Sequence, residues 1–290
     1  MGRIPAFLLT TILLFGCGGD DKSSAPPATM PETGATGGVV LNERAALSIS
    51  NSYLRVQAVP GVSVESTLES DCEGQTCTIT ESRTGVSDTV TLQDIQDAET
   101  SDIENLRQEV HLRLTRKGVP VYGGSVTFAL GEGNTASTTA YGGWMIYNFF
   151  LAAWGNYSDP DFHSAEVGTG LSVGNATGSH PDVDATYSGV MLGVITAEGG
   201  TQGNGVEGDA TLDFSVANPG GAQMDVSFTS ITNRETGGAL PDITWSGLQV
   251  ESDGTFDTGD IHGLFYGPDH EEAGGTFNRD GVAGAFGAAK

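Results

Sequence analysis

Between Ala210 and Phe228 the chain alternates with a period of two. Ala210, Leu212, Phe214 and Val216 are separated by Thr211, Asp213 and Ser215, and Met224, Val226 and Phe228 by Asp225 and Ser227. Successive side chains of a strand point to opposite faces, so each run has one apolar and one wet face. Asn218-Pro219-Gly220-Gly221 lies between the runs and reads as a tight turn. An amphipathic hairpin of this kind commits the second half of the chain to an antiparallel sheet with one buried face. Further strands are expected at Tyr141–Trp154, Ala185–Ile195, Ile243–Val250, Thr255–Gly267, Gly274–Phe277 and Val282–Ala288, which makes eight. In the Ile243 strand the apolar phase slips after Trp245, at Ser246-Gly247, as a β-bulge requires. Eight antiparallel strands are most economically closed as an up-and-down barrel, because closure removes the edges; a sandwich is the rival. Glycines at 189, 193, 208, 247, 263 and 284 suit a tightly bent small barrel. A membrane-spanning barrel would turn its apolar face to lipid. Here most strands have a single apolar face, needed for the inside, so the barrel is expected to be soluble. Tyr141–Trp154 is apolar on both parities and is expected to pack outward against the N-terminal domain.

The other end of the chain reads differently. After Arg3, the run Ile4–Phe15 is apolar apart from two threonines and one proline, too short to span a bilayer but suited to the core of an export signal. It ends in Leu14-Phe15-Gly16-Cys17, which looks like a bacterial lipobox and implies cleavage after Gly16 and acylation of Cys17. Gly18 rather than aspartate follows, which in a Gram-negative cell favours the outer membrane. Residues 18–38 are rich in Pro, Gly, Ser and Thr and read as a flexible tether. Beyond it, strand-like runs at Leu54–Val59, Thr76–Thr80, Val110–Thr115 and Val119–Val126, with a helical hint over Leu92–Arg107, suggest a small β-rich domain. Cys72 and Cys77 are expected to form a disulfide closing a tight turn, since an exported C-x4-C with no nearby histidine is a poor zinc site. The expected fold class is all-β. Residues 1–16 are the signal peptide, 17–38 the lipidated cysteine and tether, 39–136 the β-rich domain and 137–290 the barrel.

The charge balance narrows the function. Twelve Lys plus Arg stand against 37 Asp plus Glu, a formal net charge of -25 over 290 residues. Such a surface repels phosphate backbones and excludes nucleic acid as a partner, while favouring cationic ones. Gly170-Leu171-Ser172-Val173-Gly174 has the spacing of a nucleophile elbow, but turn-forming residues follow where a helix is needed. Gly203–Gly208 has the spacing of a dinucleotide-binding loop, yet it leads into a strand and reads as a glycine turn. The carboxylates from Asp253 to Asp260 lack the ladder of a calcium loop, and Glu271 and Glu272 are read as solvated turn residues. His111, His163, His180, His262 and His270 show no metal-ligand spacing. His163 and His180 are read as sharing one long loop, Gly155–Asp184, with Asp159, Asp161, Asp182 and Asp184. That loop is the candidate ligand site should metal or haem bind; otherwise it is a solvated loop. Arg107, Arg113, Arg116 and Lys117 form a basic cluster, read as compensating the acidic stretch Asp94–Glu104, with a recognition patch as the alternative.

The C-terminal segment carries Gly263, Phe265, Tyr266, Gly267 and Pro268, then an acidic pair, then Gly274, Gly275 and Phe277. It closes on Gly284, Phe286 and a terminal lysine. With Tyr187-Ser188-Gly189-Val190-Met191 and Val206–Phe214, this resembles the transferrin-binding-protein-like β-barrel family over about Tyr141 to Lys290. The resemblance implies that residues 39–136 are a handle-like domain and that the motif residues are structural. It also implies a single-lobe, monomeric lipoprotein held to the outer membrane by its lipid, facing the outside and acting as a non-enzymatic binding module for a protein or haem-type ligand. No resident cofactor is implied, and no binding residue carries over, because the family's partner contacts lie in variable loops. A periplasm-facing structural or envelope-assembly lipoprotein is the alternative.

Overall fold

The computed structural model describes residues 39, 41–59, 61–98, 111–131, 134–158, 164–216 and 221–290. Residues 1–38, where the signal peptide, the acylated Cys17 and the tether are expected, lie outside the described residues. The rest is nearly all β, in two antiparallel sheets. The first contains β1 (Ala45–Ile49), β2 (Ser52–Val59), β3 (Val62–Glu73), β4 (Thr76–Glu81) and β5 (Ser87–Thr91), then β6 (His111–Arg116), β7 (Val119–Gly131), β8 (Asn134–Trp144), β9 (Asn148–Ser158) and β10 (Ser164–Asn175). Its order is β5-β4-β3-β2-β10-β9-β8-β7-β6, with β1 also on β10. One edge of β10 is thus shared: Ser164–Gly168 pair with β2 and Leu171–Asn175 with β1. A short helix, α1 (Leu92–Ala98), follows β5. Thr91 and Asp94 cap it reciprocally, Thr91 N–H and Oγ1–H donating to Asp94 Oδ2 and Asp94 N–H to Thr91 Oγ1. Its Leu92 and Ile95 join Leu47, Leu54, Ile79 and Phe149 in the core of this sheet.

The second sheet holds β11 (Ala185–Ile195), β12 (Gly205–Ser215), β13 (Gln223–Asn233), β14 (Ile243–Gln249), β15 (Phe256–Asp257), β16 (Ile261–Tyr266), β17 (Glu272–Arg279) and β18 (Val282–Ala289). Its order, β14-β13-β12-β11-β18-β17-β16-β15, runs up and down, and the bridge Val250–Phe256 joins its two ends into a nearly closed barrel. The bulge is where the phase slip put it. Met224 pairs with Leu248 but Val226 with Trp245, and Gly247 takes φ +67° while its N–H donates to Asp225 Oδ1. The interior is filled by rings: Phe228 lies 4.9, 5.2 and 5.4 Å from the centroids of Phe277, Phe286 and Trp245. Phe214 and Phe265 meet edge-on at 5.4 Å nearby.

Three expectations need correction. The barrel starts at Ala185, not at residue 137: β8, β9 and β10 belong to the first sheet. Tyr141–Trp154 is a hairpin rather than one strand, the chain reversing at Met145–Tyr147 between β8 and β9. It is apolar on both faces because Trp144, Phe149, Leu151 and Ala153 fill the first sheet while Tyr141, Phe150, Ala152 and Trp154 pack on the barrel's outer wall against Val190, Leu192 and Val194. The outward packing expected of a barrel strand therefore exists, with ownership reversed. Finally, Thr255–Gly267 breaks into β15 and β16, because Asp257 and Asp260 turn back to accept bonds from Gly259 N–H and Thr258 Oγ1–H.

Candidate functional site

Aromatic side chains fill the barrel core, whereas the seam between the two sheets is open. There, β1, β3 and β4 on one side and β15–β17 on the other enclose a cleft of about 460 Å³. Glu69 and Asp71 line one wall, and Asp257, Asp260 and His262 the other. No lysine or arginine lines it among the described residues. Asn51 ties the two walls together: its Nδ2–H donates to Gly259 O (2.7 Å), its Oδ1 accepts from Ser70 N–H (2.9 Å), and its carbonyl accepts from Asn278 Nδ2–H (2.7 Å). A second cross-tie, Ser48 Oγ to Thr276 Oγ1 at 2.7 Å, is fully buried.

The barrel-side acids are already engaged. Asp257 Oδ2 lies 2.8 Å from His262 Nδ1. That bond, with Gly259 N–H, outweighs burial and holds the Asp257 carboxyl below its ordinary range. Asp260 accepts from Trp245 Nε1–H at 3.1 Å and pairs with Arg279 at 3.5 Å. Glu69 and Asp71 are exposed on β3 and present their charge to whatever enters. The Cys72–Cys77 disulfide directly joins facing residues of the β3–β4 hairpin, and Cys72 reaches the cleft wall.

The stretch Gly155–Asp184, expected to be one long loop, instead contains the end of β9 and the whole of β10. Asp159, Asp161 and His163 lie outside the described residues. His180 and Asp182 follow the twelve-residue strand β10. His180 Nδ1 sits 2.8 Å from Pro181 O with its ring against Phe214, and Asp182 is exposed. No group of three His, Cys, Asp or Glu side chains among the described residues could hold a metal. β10 passed for a loop because of Gly168, Gly170, Ser172 and Gly174, yet these small residues are what let the sheets touch. A Cβ on Gly170 would lie 1.9 Å from Gly284 O.

Other sequence candidates take clear places. Ser172 lies mid-strand and fully buried, accepting from Asn148 Nδ2–H at 2.9 Å and 3.2 Å from Tyr266 OH. Gly203 precedes β12 in a turn. Arg116 crosses to the barrel, its Nε donating to Asp209 Oδ1 (2.6 Å) with Glu207 at 3.6 Å; Arg234 also pairs with Glu207. Of the acidic stretch expected to pair with the basic cluster, residues 99–104 lie outside the described residues. Of the family-like motif, Phe265, Phe277 and Phe286 point into the barrel core, and Tyr266 points out into the seam. Gly263 leaves room for the Phe256 ring, Gly267 turns at φ +85°, and Pro268 is exposed. Gly274, Gly275 and Gly284 sit where a Cβ would strike backbone at 2.7, 2.0 and 2.1 Å. Glu272 is corrected: it is 3% exposed, not a solvated turn residue. Sequence reasoning missed Asn51, Glu69 and Asp71, for which no motif exists; only the alternation of β3, with acids on its wet face, hinted at them.

No family model matches this chain, and no curated protein matches it. Among solved structures it is similar to a proposed outer membrane protein from Bacteroides fragilis, at 13% identity over 86% of this chain and 98% of that one, with a TM-score of 0.23. A likeness of that size carries no argument about function.

Proposed function

We propose that this chain is a non-enzymatic binding module, anchored through acylated Cys17 in the outer membrane and facing outward, which captures a protein ligand with a basic surface at the inter-sheet cleft. The carrying observation is the cleft itself: carboxylates on both walls, no lining lysine or arginine, and its one histidine engaged by Asp257. Haem fits less well, because its anionic propionates would face Glu69 and Asp71. The family resemblance and the lipobox supply the anchoring half of the reading, and the filled barrel core argues against a ligand held inside it. Charge of this kind steers encounter and sets selectivity more than it adds affinity.

The test uses intact cells carrying the full chain. Protease added outside should remove it, and the cells should retain a basic protein of pI above about 9 over an acidic one. Substituting Glu69→Gln with Asp71→Asn, both exposed, should reduce that retention, as should added salt. Protection from protease until lysis would sink the outward-facing reading. Retention unchanged by the double substitution would sink the cleft.

A further inference from the structure

The backbones of the two sheets come into contact at Gly170 of β10 and Gly284 of β18, and the seam differs in chemistry on the two sides of that contact. Toward β11 it is apolar: Phe150, Ala152 and Trp154 pack on Val190, Leu192 and Val194. That side is also clamped at its outer edge. Arg116 Nε donates to Asp209 Oδ1 at 2.6 Å, the Arg234 guanidinium lies 4.4 Å over the Tyr141 ring, and Tyr141 OH donates to Glu235 Oε1 at 2.9 Å. Toward β16, at the end that borders the cleft, the seam is polar. Ser48 meets Thr276 there, while Asn51 donates to Gly259 O and accepts from Asn278 Nδ2–H. No ion pair crosses this corner among the described residues. Hydroxyls and amides lose little by exchanging one another for water, whereas parting the apolar side would rehydrate the rings and methyls it covers. The polar corner is bounded at its far end by Ala46, Leu264 and Tyr266, and by the Ile146 and Tyr147 N–H groups that donate to Glu272. Its first-sheet wall is one piece. Leu47 N–H donates to Gly74 O (2.7 Å), Ile49 N–H to Cys72 Sγ (3.4 Å), and the Cys72–Cys77 disulfide staples β3 to β4.

We infer that this corner of the seam opens and closes. The wall of β1, β3 and β4 swings away from β16 and β17 about the Gly170–Gly284 contact, while the apolar side stays shut. Opening carries the cleft inward from Asn51 to Ser48 and Thr276, so a ligand side chain too long for the closed cleft meets two freed hydroxyls at its floor. As a means of entry this rests on the proposed capture at the cleft. The motion itself needs no ligand, so it and capture are separable by experiment.

Cysteine labelling in the full chain tests the motion. Ser48 is 1% exposed and Ala152 0%, so iodoacetamide reaches a cysteine at either position only through opening. Ser48→Cys should be modified at least about tenfold faster than Ala152→Cys, read by peptide mass. Its rate should be flat in low urea, because a local opening exposes little surface, whereas that of Ala152→Cys should climb with the unfolding equilibrium. Adding Asn51→Ala, which removes the bond to Gly259 O, should raise the Ser48→Cys rate several-fold. Equal rates at the two cysteines, a Ser48→Cys rate that climbs with urea as Ala152→Cys does, or one that Asn51→Ala leaves unmoved would each overturn the inference. Should Ser48→Cys not fold, Thr276→Cys, 1% exposed on the facing wall, takes its place in the same comparison, and Ala285→Cys, 0% exposed, can stand for Ala152→Cys.

Discussion

Replacing Gly170 by alanine tests how the two sheets are joined. In the structure the added Cβ would lie 1.9 Å from Gly284 O and 2.2 Å from its carbonyl carbon, both backbone atoms that no rotamer change can move. Restoring even a 3.0 Å contact requires β10 and β18 to separate by about 1 Å, and a gap of that size forfeits a quarter to a half of each dispersion contact it opens. Those contacts include Phe150, Ala152 and Trp154 against Val190, Leu192 and Ala285, all buried. Overpacking of a rigid core costs about 1–3 kcal/mol, and the lost seam contacts place this case at the upper end, about 3 kcal/mol. For a chain of this size that corresponds to a fall in Tm of roughly 6–12 °C. The control is Gly200→Ala, where nothing lies within 4 Å of the new Cβ, so stability should move by no more than about 0.5 kcal/mol. Urea titration followed by tryptophan fluorescence reads both. Equal midpoints for the two variants would show that the sheets do not meet at Gly170 as described.

Three further outcomes are expected. Phe228→Ala empties the centre of the ring cluster and should cost about 3–5 kcal/mol by denaturant titration. Reducing the Cys72–Cys77 disulfide, whose residues are 5 apart in sequence, should cost no more than about 2 kcal/mol, read as a shift in urea midpoint with and without reductant. Burial pushes the Glu81 carboxyl up, but Ser66 and Thr84 hydroxyls and the Arg83 and Thr84 amides outweigh it and hold it down at about 2. Its contribution to stability is therefore present above its ordinary 4.5 and lost as pH falls from there toward 2. Glu81→Gln should flatten that acid limb in thermal melts across the same range.

The barrel was legible where one face of each strand stays wet. Alternation in β12 and β13 marked the strands, and the phase slip at Ser246-Gly247 marked the bulge, because both are local consequences of a two-residue repeat. Legibility failed where both faces of a strand are covered. Periodicity vanished in Tyr141–Trp154, so the hairpin turn at Met145–Tyr147 left no trace, and the glycines of β10 imitated a loop. The cleft was illegible for another reason. Glu69 and Asp71 meet Asp257 and Asp260 only because the first sheet docks on the barrel, and nothing near either pair in sequence announces that docking.

The position of β10 has a consequence for the order in which this chain can assemble. It is the only strand that holds β1–β5 to β6–β9 among the described residues, and Ser50 meets Gly170 across 120 positions of sequence. Until residues 164–175 emerge, β2–β5 and β6–β9 are two separate pieces, each with an open edge, and β1 lacks its ladder partner. Hairpins such as β11–β12 and β12–β13 need no such wait, since their partners adjoin in sequence. Long-range closure of this kind is slow, and unpaired edges invite association with other chains in the interval. A chain delivered N-terminus first across a membrane would thus spend its most vulnerable moments with its first half synthesised and its connecting strand still to come.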